Sequence, residues 1–408
     1  MQYLQVFRFF WLLLLVFVPL HAAEQDALAI DATIQARHVP YGTVLNPVFD
    51  AGGVSIVNYT RCGDSALWTG HYLAAEAFRY KVTSSPAALA NLRAALAGLA
   101  LLRDVTGTGV LARCAIPADS PYAAAIASEE AANGIFHSTL HGKSWMWVGN
   151  TSRDQYSGVF FGLGAAYDLV GDRRIRFGIA SLAVRLLGNL LDAGWAVKMP
   201  DGSTSTTFVL RPDQQLALLQ IGRHVNARRF EKAYAQAAAS LAPAVPVPLG
   251  FDALDDHDSY FKFNLDFINL YNLIRLEDSG TDRLAYEAGF RAVRSTTGNH
   301  RNAHFNMIDR ALNGPDAARD AETLADLEAW LKRPRTDVLV DWRGEIASCG
   351  DPNLACHPIP VEERPPSDFV WQLNPFQLSG GGKGIIEGAG IDYILPYWMA
   401  RYYGVVQQ

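Results

Sequence analysis

A two-stroke helical unit recurs from residue 64 onward, and it limits what this chain can fold into more than any other feature. Asp64 opens the run DSALWTGHYLAAEAFRYKV, and Ser85-Pro86 opens PAALANLRAALAGLALLRDV, which stops at Gly107. Asp and Ser are good N-cap residues, Pro suits the first helical position, and Gly breaks a helix. The pattern returns four times. Thr151-Ser152 opens TSRDQYSGVFFGLGAAYDLV and Gly171-Asp172 leads into RRIRFGIASLAVRLLGNLLDAG; Arg211-Pro212 opens PDQQLALLQIGRHV, followed by a helix through Glu231 and Ala239. Asp258-Ser259 and Gly280 open the fourth pair, and Asn299-His300 and Pro315-Asp316 the fifth. Asp392 to Tyr403 reads as the inner helix of a sixth, with its outer partner supplied by the N-terminal arm.

Within each pair the first helix is rich in aromatics, Gly and Ala, and the second carries a charged face. A helix apolar nearly all round is buried and an amphipathic one lies at the surface. The expected fold is therefore all-α, an (α/α)6 toroid over residues 61–404, with 24–60 as an arm and 337–390 as an irregular insertion laid over the funnel. An open solenoid of helix pairs is the competing architecture, but no fixed repeat period appears.

Upstream, an unbroken apolar run from Phe9 to Leu20 ends at His21-Ala22-Ala23. About a dozen apolar residues fall short of the ~20 that a spanning helix needs, and small residues follow, so residues 1–23 read as a signal peptide rather than an anchor. Export, to periplasm or medium, is the expected destination, with no membrane partner after cleavage. In an exported chain the four cysteines suggest disulfides. Three connectivities are open, and the local pairs Cys62–Cys114 and Cys349–Cys356 are favoured, worth about 4 and about 2.5 kcal/mol by loop entropy. No pair has the close spacing of structural zinc, so neither a metal nor another cofactor is expected. Net charge is -6, with acids and bases interspersed, which argues against nucleic acid. The Gly-rich GGGKG at Gly380 is no phosphate loop and reads as a flexible turn or lid.

In a ring of helical hairpins all inner helices run one way, so their N-terminal ends gather on one face. The residues there include Asp64, Trp68, Trp147, Asn150, Arg153, Asp154, Gln155, Tyr156, Arg211, His257, Tyr260 and His304. Trp371, in the run WQLNPF, joins them from the tail. Carboxylates, amides, imidazoles and aromatics suit a ligand that offers hydroxyls and apolar ring faces, as sugars do. Asp64 has a second reading as a plain N-cap, and Arg153 can simply pair with Asp154.

The runs GDSALWTGHYLAA, NTSRDQYSG and GIDYILPYWMARYYG, set on such a ring, resemble the six-hairpin (α/α)6-toroid glycosidase superfamily, which includes unsaturated glucuronyl hydrolases and sugar epimerases. That resemblance implies a catalytic Asp at each of two early inner helices, which fall on Asp64 and Asp154. It also implies an oligosaccharide or polysaccharide substrate, with hydrolase, lyase or epimerase chemistry. Arg153 and Arg211 would be available for a uronic-acid carboxylate. A non-catalytic carbohydrate-binding or surface-assembly protein using the same cleft is the alternative, and an export-pathway helical scaffold a third.

Overall fold

The computed structural model describes residues 21–255 and 260–407. The signal-peptide expectation falls almost wholly on residues 1–20, and that for His257 on 256–259; both stretches lie outside the described residues. The arm forms helix α1 (His21–Thr33) and strands β1 (Asn46–Phe49) and β2 (Ile56–Thr60). The first hairpin is α2 (Ser65–Thr83) and α3 (Pro86–Asp104). After it come β3 (Cys114–Pro117), a short α4 (Ala123–Glu129), β4 (Ile135–Leu140) and β5 (Lys143–Val148). The second hairpin is α5 (Arg153–Leu169) and α6 (Arg173–Asp192), followed by the ribbon β6 (Ala196–Lys198) and β7 (Thr204–Thr207). Then follow α7 (Pro212–Val225), α8 (Ala227–Leu241), α9 (Pro246–Leu254), α10 (Phe261–Arg275), α11 (Thr281–Thr297), α12 (Ala303–Asn313) and α13 (Ala317–Trp330). The tail adds β8 (Thr336–Asp341), β9 (Ser348–Cys349), β10 (Asp351–Ala355), β11 (Ser379–Glu387) and the last helix, α14 (Ile391–Tyr402).

The molecule is thus mostly helical, and the all-α expectation is corrected by several small sheets. One has the order β2-β1-β11-β8 and another β3-β5-β4, and β6–β7 and β9–β10 are two-stranded ribbons. The stretch 337–390 is less irregular than expected, because GGGKG lies inside β11 and pairs with β8. A β-carbon on Gly381 would stand 2.0 Å from the Val338 carbonyl oxygen, so the glycines there let two strands approach rather than make a flexible turn. Both expected disulfides are present, Cys62–Cys114 and Cys349–Cys356, and they fit an oxidising location outside the cytosol. Among the described residues no single helix is long and apolar enough to cross a membrane.

The helices pack in chain order. Helix α2 lies on α5, α5 on α7 and α10, α10 on α12, α12 on α14, and α14 returns to α2. Each has a neighbour outside it, in turn α3, α6, α8, α11 and α13, and for α14 the arm helix α1. Burial follows the sequence logic: in α10 every residue from Phe263 to Ile274 is buried, whereas in α8 only Phe230, Tyr234 and Ala238, one stripe four apart, are. Their polarity is common. Asp168 near the end of α5 meets His224 of α7 at 2.5 Å and Arg275 of α10. Tyr271 of α10 bonds Tyr403, just past α14, at 2.9 Å; Arg310 of α12 donates to the Tyr403 carbonyl, and Phe78 of α2 packs on its ring. The C-terminal ends therefore gather on one side and the N-terminal ends on the other.

Two contacts hold this arrangement together. Asp31 of α1 accepts from Tyr72 of α2 at 2.7 Å and from Arg79 at 2.5 Å, and Arg79 also holds Glu76 at 3.1 Å, which fastens the arm to α2. Burial and the Asp31 charge keep the Glu76 carboxyl well above its usual range. The other contact is backbone on backbone. A β-carbon on Gly70 of α2 would lie 2.1 Å from the Gly158 carbonyl oxygen of α5, and one on Gly162 would lie 2.2 Å from that of Gly70. Overpacking of this kind costs about 1–3 kcal/mol. Gly70→Ala should lower the urea midpoint accordingly, while Gly171→Ala, where an added β-carbon meets nothing within 4 Å, should leave it nearly unchanged. Equal stabilities for the two variants would contradict the close approach.

Candidate functional site

The N-terminal ends of α2, α5, α10 and α14 border three adjoining cavities that share Gln372 of the tail. One, about 220 Å³, is lined by Asp64, Leu67, Trp68, Asp154, Phe261, Asn264, Leu265 and Gln372. A narrower one, about 40 Å³, runs from Asp64 and Trp68 past Arg61 and Asp368 to Arg333, Arg335 and Asp392. The third, about 640 Å³, opens over Tyr260 and Phe261 beside Asp368 and Asn374.

Asp64 occupies the N-cap position of α2, yet its side chain accepts no bond from the helix N–H groups. It is held from outside instead. Gln155 of α5 accepts from the Leu67 N–H at 3.0 Å and donates to Asp64 at 3.3 Å, and Arg113 stands 3.9 Å away. Arg113 is in turn steered by the carbonyls of Gly63 and Asn150, both at 2.9 Å. Burial pushes the Asp64 carboxyl above its usual range, against the pull of Arg113 and Arg61. Asp154, second in α5, is raised too, by burial first and then by the charge of Asp64. Arg153 donates to Thr206 at 3.4 Å and to the Thr207 carbonyl at 3.0 Å, so it anchors the β6–β7 ribbon.

A third carboxylate joins them that sequence reasoning missed. Asp368 bridges to Arg61 at 3.0 Å, and burial, with the charge of Asp64 added, lifts its carboxyl above the usual range. Its only sequence signal is a place three residues before Trp371 in a Pro-rich stretch. Asp392, by contrast, is spoken for: it accepts from the Val370 N–H at 2.9 Å and lies 3.7 Å from Arg333.

Behind Trp68 lies a buried aromatic cluster, whose Trp371, His71 and His304 line none of the three cavities although Trp371 and His304 were expected at the site. Trp371 is fully buried, its ring 5.1 Å from His71 and 4.8 Å from His304, and Phe369 stands edge-on to Trp68 at 4.8 Å. His71 Nδ1 donates to the Leu67 carbonyl at 3.0 Å, which leaves Nε2 to accept from Asn264 at 3.2 Å. His304 is buried, and neither of its ring nitrogens has a hydrogen-bond partner. Burial, with His71 adding to it, holds its imidazole well below the usual range.

Several expected site residues lie elsewhere. Trp147 is on β5, buried and stacked on Phe136 at 4.4 Å, so it belongs to the core. Tyr156 is buried and accepts from the Leu111 N–H at 3.3 Å; Asn150 is exposed and bonds Asn133. Arg211 is saturated, binding Asp213 at 2.9 Å and Asp252 and Asp266 at 2.7 Å each, so its charge is not free for a substrate carboxylate. Tyr260 lines the widest cavity while bonding His300 at 3.2 Å.

The comparisons with known proteins bring no relative. The chain matches no family model, no curated protein and no solved structure.

The buried aromatic cluster carries a pH signature. Burial lowers the His71 imidazole from 6.5 to about 4. Below pH 6.5 the unfolded chain takes up a proton there and the native chain does not, so stability falls as pH falls through that window, by about 3 kcal/mol at its lower end. Urea unfolding at about pH 7 and about pH 4.5 should show a smaller acid loss for His71→Gln than for the natural chain. An identical loss in both would remove His71 from the linkage.

Proposed function

We propose that this chain is a carbohydrate-active enzyme on an (α/α)6 toroid, the fold suggested by its circuit of parallel inner helices. Asp154 would serve as the general acid or base and Asp64 as its partner carboxylate. One observation carries the reading: the two acids share one cavity, neither is consumed by a helix cap or a close ion pair, and burial raises both. Cleavage of a glycosidic bond takes a protonated carboxyl at the leaving oxygen and a second carboxylate that attacks or activates water. A raised Asp154 next to Asp64 supports that division of labour, since the first proton released by the pair makes the second harder to lose.

Trp68 and Phe369 offer the apolar wall on which a sugar ring packs, and Asn264 and Gln372 offer amides for its hydroxyls. With Arg153 and Arg211 engaged elsewhere, the cations placed to meet a uronic-acid carboxylate are Arg61, Arg333 and Arg335 along the narrow cavity. An oligosaccharide, with or without a uronic acid, is the substrate class we favour. Asp368 would bear on the same chemistry through its charge near Asp64.

The test is a screen of the protein against neutral and uronic-acid-containing plant, algal and bacterial glycans, followed by Asp154→Asn on whichever is cleaved. Loss of general acid–base assistance should lower turnover by ~10²–10⁴ with the fold intact. Undiminished turnover in folded Asp154→Asn would remove Asp154 from the mechanism. Glycan binding without any cleavage by the natural chain would make it a binding protein.

A further inference from the structure

The cavity that holds Asp64 and Asp154 is small. At about 220 Å³ it falls below the ~300–1,000 Å³ of a small-molecule site, while the adjoining wide cavity, about 640 Å³, lies well within that range. Phe261 and Gln372 line both and so join them. Phe261 opens α10 and is 43% exposed, although every residue of that helix from Phe263 to Ile274 is buried. Gln372 donates its backbone N–H to the Phe369 carbonyl at 2.9 Å, and its side-chain amide is bonded to nothing among the described residues. A single exposed Phe is ordinary on a protein surface. One set where two cavities meet, beside an amide with no partner, makes the apolar wall and polar handle of a ligand site.

Charge narrows the ligand. Among the described residues lining the wide cavity there are two carboxylates, Asp351 and Asp368, and no Lys or Arg. Asp368 is paired with Arg61 at 3.0 Å, whereas Asp351 accepts from the neutral Asn353, at 2.8 and 3.0 Å. Gln377 donates to the Ser379 carbonyl at 2.7 Å, which leaves its own side-chain oxygen to accept. These groups suit hydroxyls, which donate to carboxylates and amide oxygens and accept from amide N–H. They repel an anionic substituent. The narrow cavity on the other side of Asp64, about 40 Å³, has space for a few waters or a small substituent rather than a ring, so a longer glycan extends into the wide cavity.

We propose that the wide cavity is a second sugar subsite that takes a neutral unit, with Phe261 as the platform on which that unit's ring packs and Gln372 as the amide that bonds its hydroxyls. The inference rests on the carbohydrate reading above and deepens it: the substrate is a chain that runs from the two acids past Phe261, and the unit in the wide cavity carries no carboxylate. Binding energy gained there helps to hold the reacting unit at Asp64 and Asp154, so cleavage speeds up as the chain lengthens.

Initial rates on neutral gluco-, xylo- and manno-oligosaccharides, from disaccharide to hexasaccharide, test it with the full chain and with Phe261→Ala, Phe261→Tyr and Gln372→Ala. For the natural chain kcat/KM should rise with length. Phe261→Ala should lose about tenfold more on the longest oligosaccharide cleaved than on the shortest, and Gln372→Ala, a change on the tail, should show the same split. Phe261→Tyr keeps a ring and should keep the rise. Oligogalacturonides, with a carboxylate on every unit, should show none. A natural kcat/KM independent of length overturns the proposal, as does a Phe261→Ala loss equal at all lengths. A rise with oligogalacturonides as steep as with the neutral series overturns the neutral assignment. The catalytic reading fails separately: a natural chain that binds the neutral series by calorimetry without cleaving it, with Phe261→Ala about tenfold weaker on the longest, supports the subsite and removes the catalysis. A natural chain that neither binds nor cleaves any of them overturns both.

Discussion

The contact on which the rest of the site depends is the glycine-lined approach of α2 and α5. Two parallel helices whose backbones touch at Gly70, Gly158 and Gly162 have no freedom to slide or rotate against each other. Asp64 precedes Gly70 by under two turns and Asp154 precedes Gly158 by about one. Fixing the glycines therefore fixes the separation of the two carboxylates. Gln155 repeats the constraint at the helix ends, accepting from one helix and donating to the acid that opens it. The raised carboxyls follow from their setting: both acids are partly buried, and Asp154 also feels the charge of Asp64.

The tail completes what the helices begin. Trp371 seats on the two imidazoles behind Trp68, Gln372 borders all three cavities, and Asp368 adds a third carboxylate. These residues come from a segment without helical periodicity, yet it is firmly tied. Arg333 donates to the carbonyls of Arg364 and Asp368, Arg364 donates to the His300 carbonyl at 2.7 Å, and β11 is paired on both sides. A buried guanidinium satisfied by several carbonyls fixes a loop as firmly as a strand does.

Much of this was legible in the sequence because helices announce themselves. The periodic runs, with Ser85, Asp172 and Asp316 as working caps, placed the inner and outer helices, and export with local spacing placed both disulfides. The strands were less visible. In β5, KSWMWV, Trp147 beside a helix start reads as a ligand-binding aromatic, and it instead fills the core against β4. In β11 glycine hides a strand, because glycine signals turns far more often than it signals close-packed ladders. Arg211 read as free for a substrate carboxylate, but Asp213 two residues on and Asp252 and Asp266 from other helices all bind it, and only three dimensions show that the arginine is saturated. Asp368 was out of reach for the same reason: its neighbours in space, Arg61 and Asp64, lie some three hundred residues away in sequence.

The claim at the centre of this account is that Asp64 and Asp154 form one electrostatic unit in a partly buried cleft. Carbon-detected NMR titration of the aspartate carboxyls tests it without any substrate. Asp154 should titrate above the ordinary aspartate range in the natural chain and move down in a folded Asp64→Asn variant, since the largest neighbouring negative charge is gone. An Asp154 that titrates in the ordinary range, unmoved by Asp64→Asn, would contradict the account.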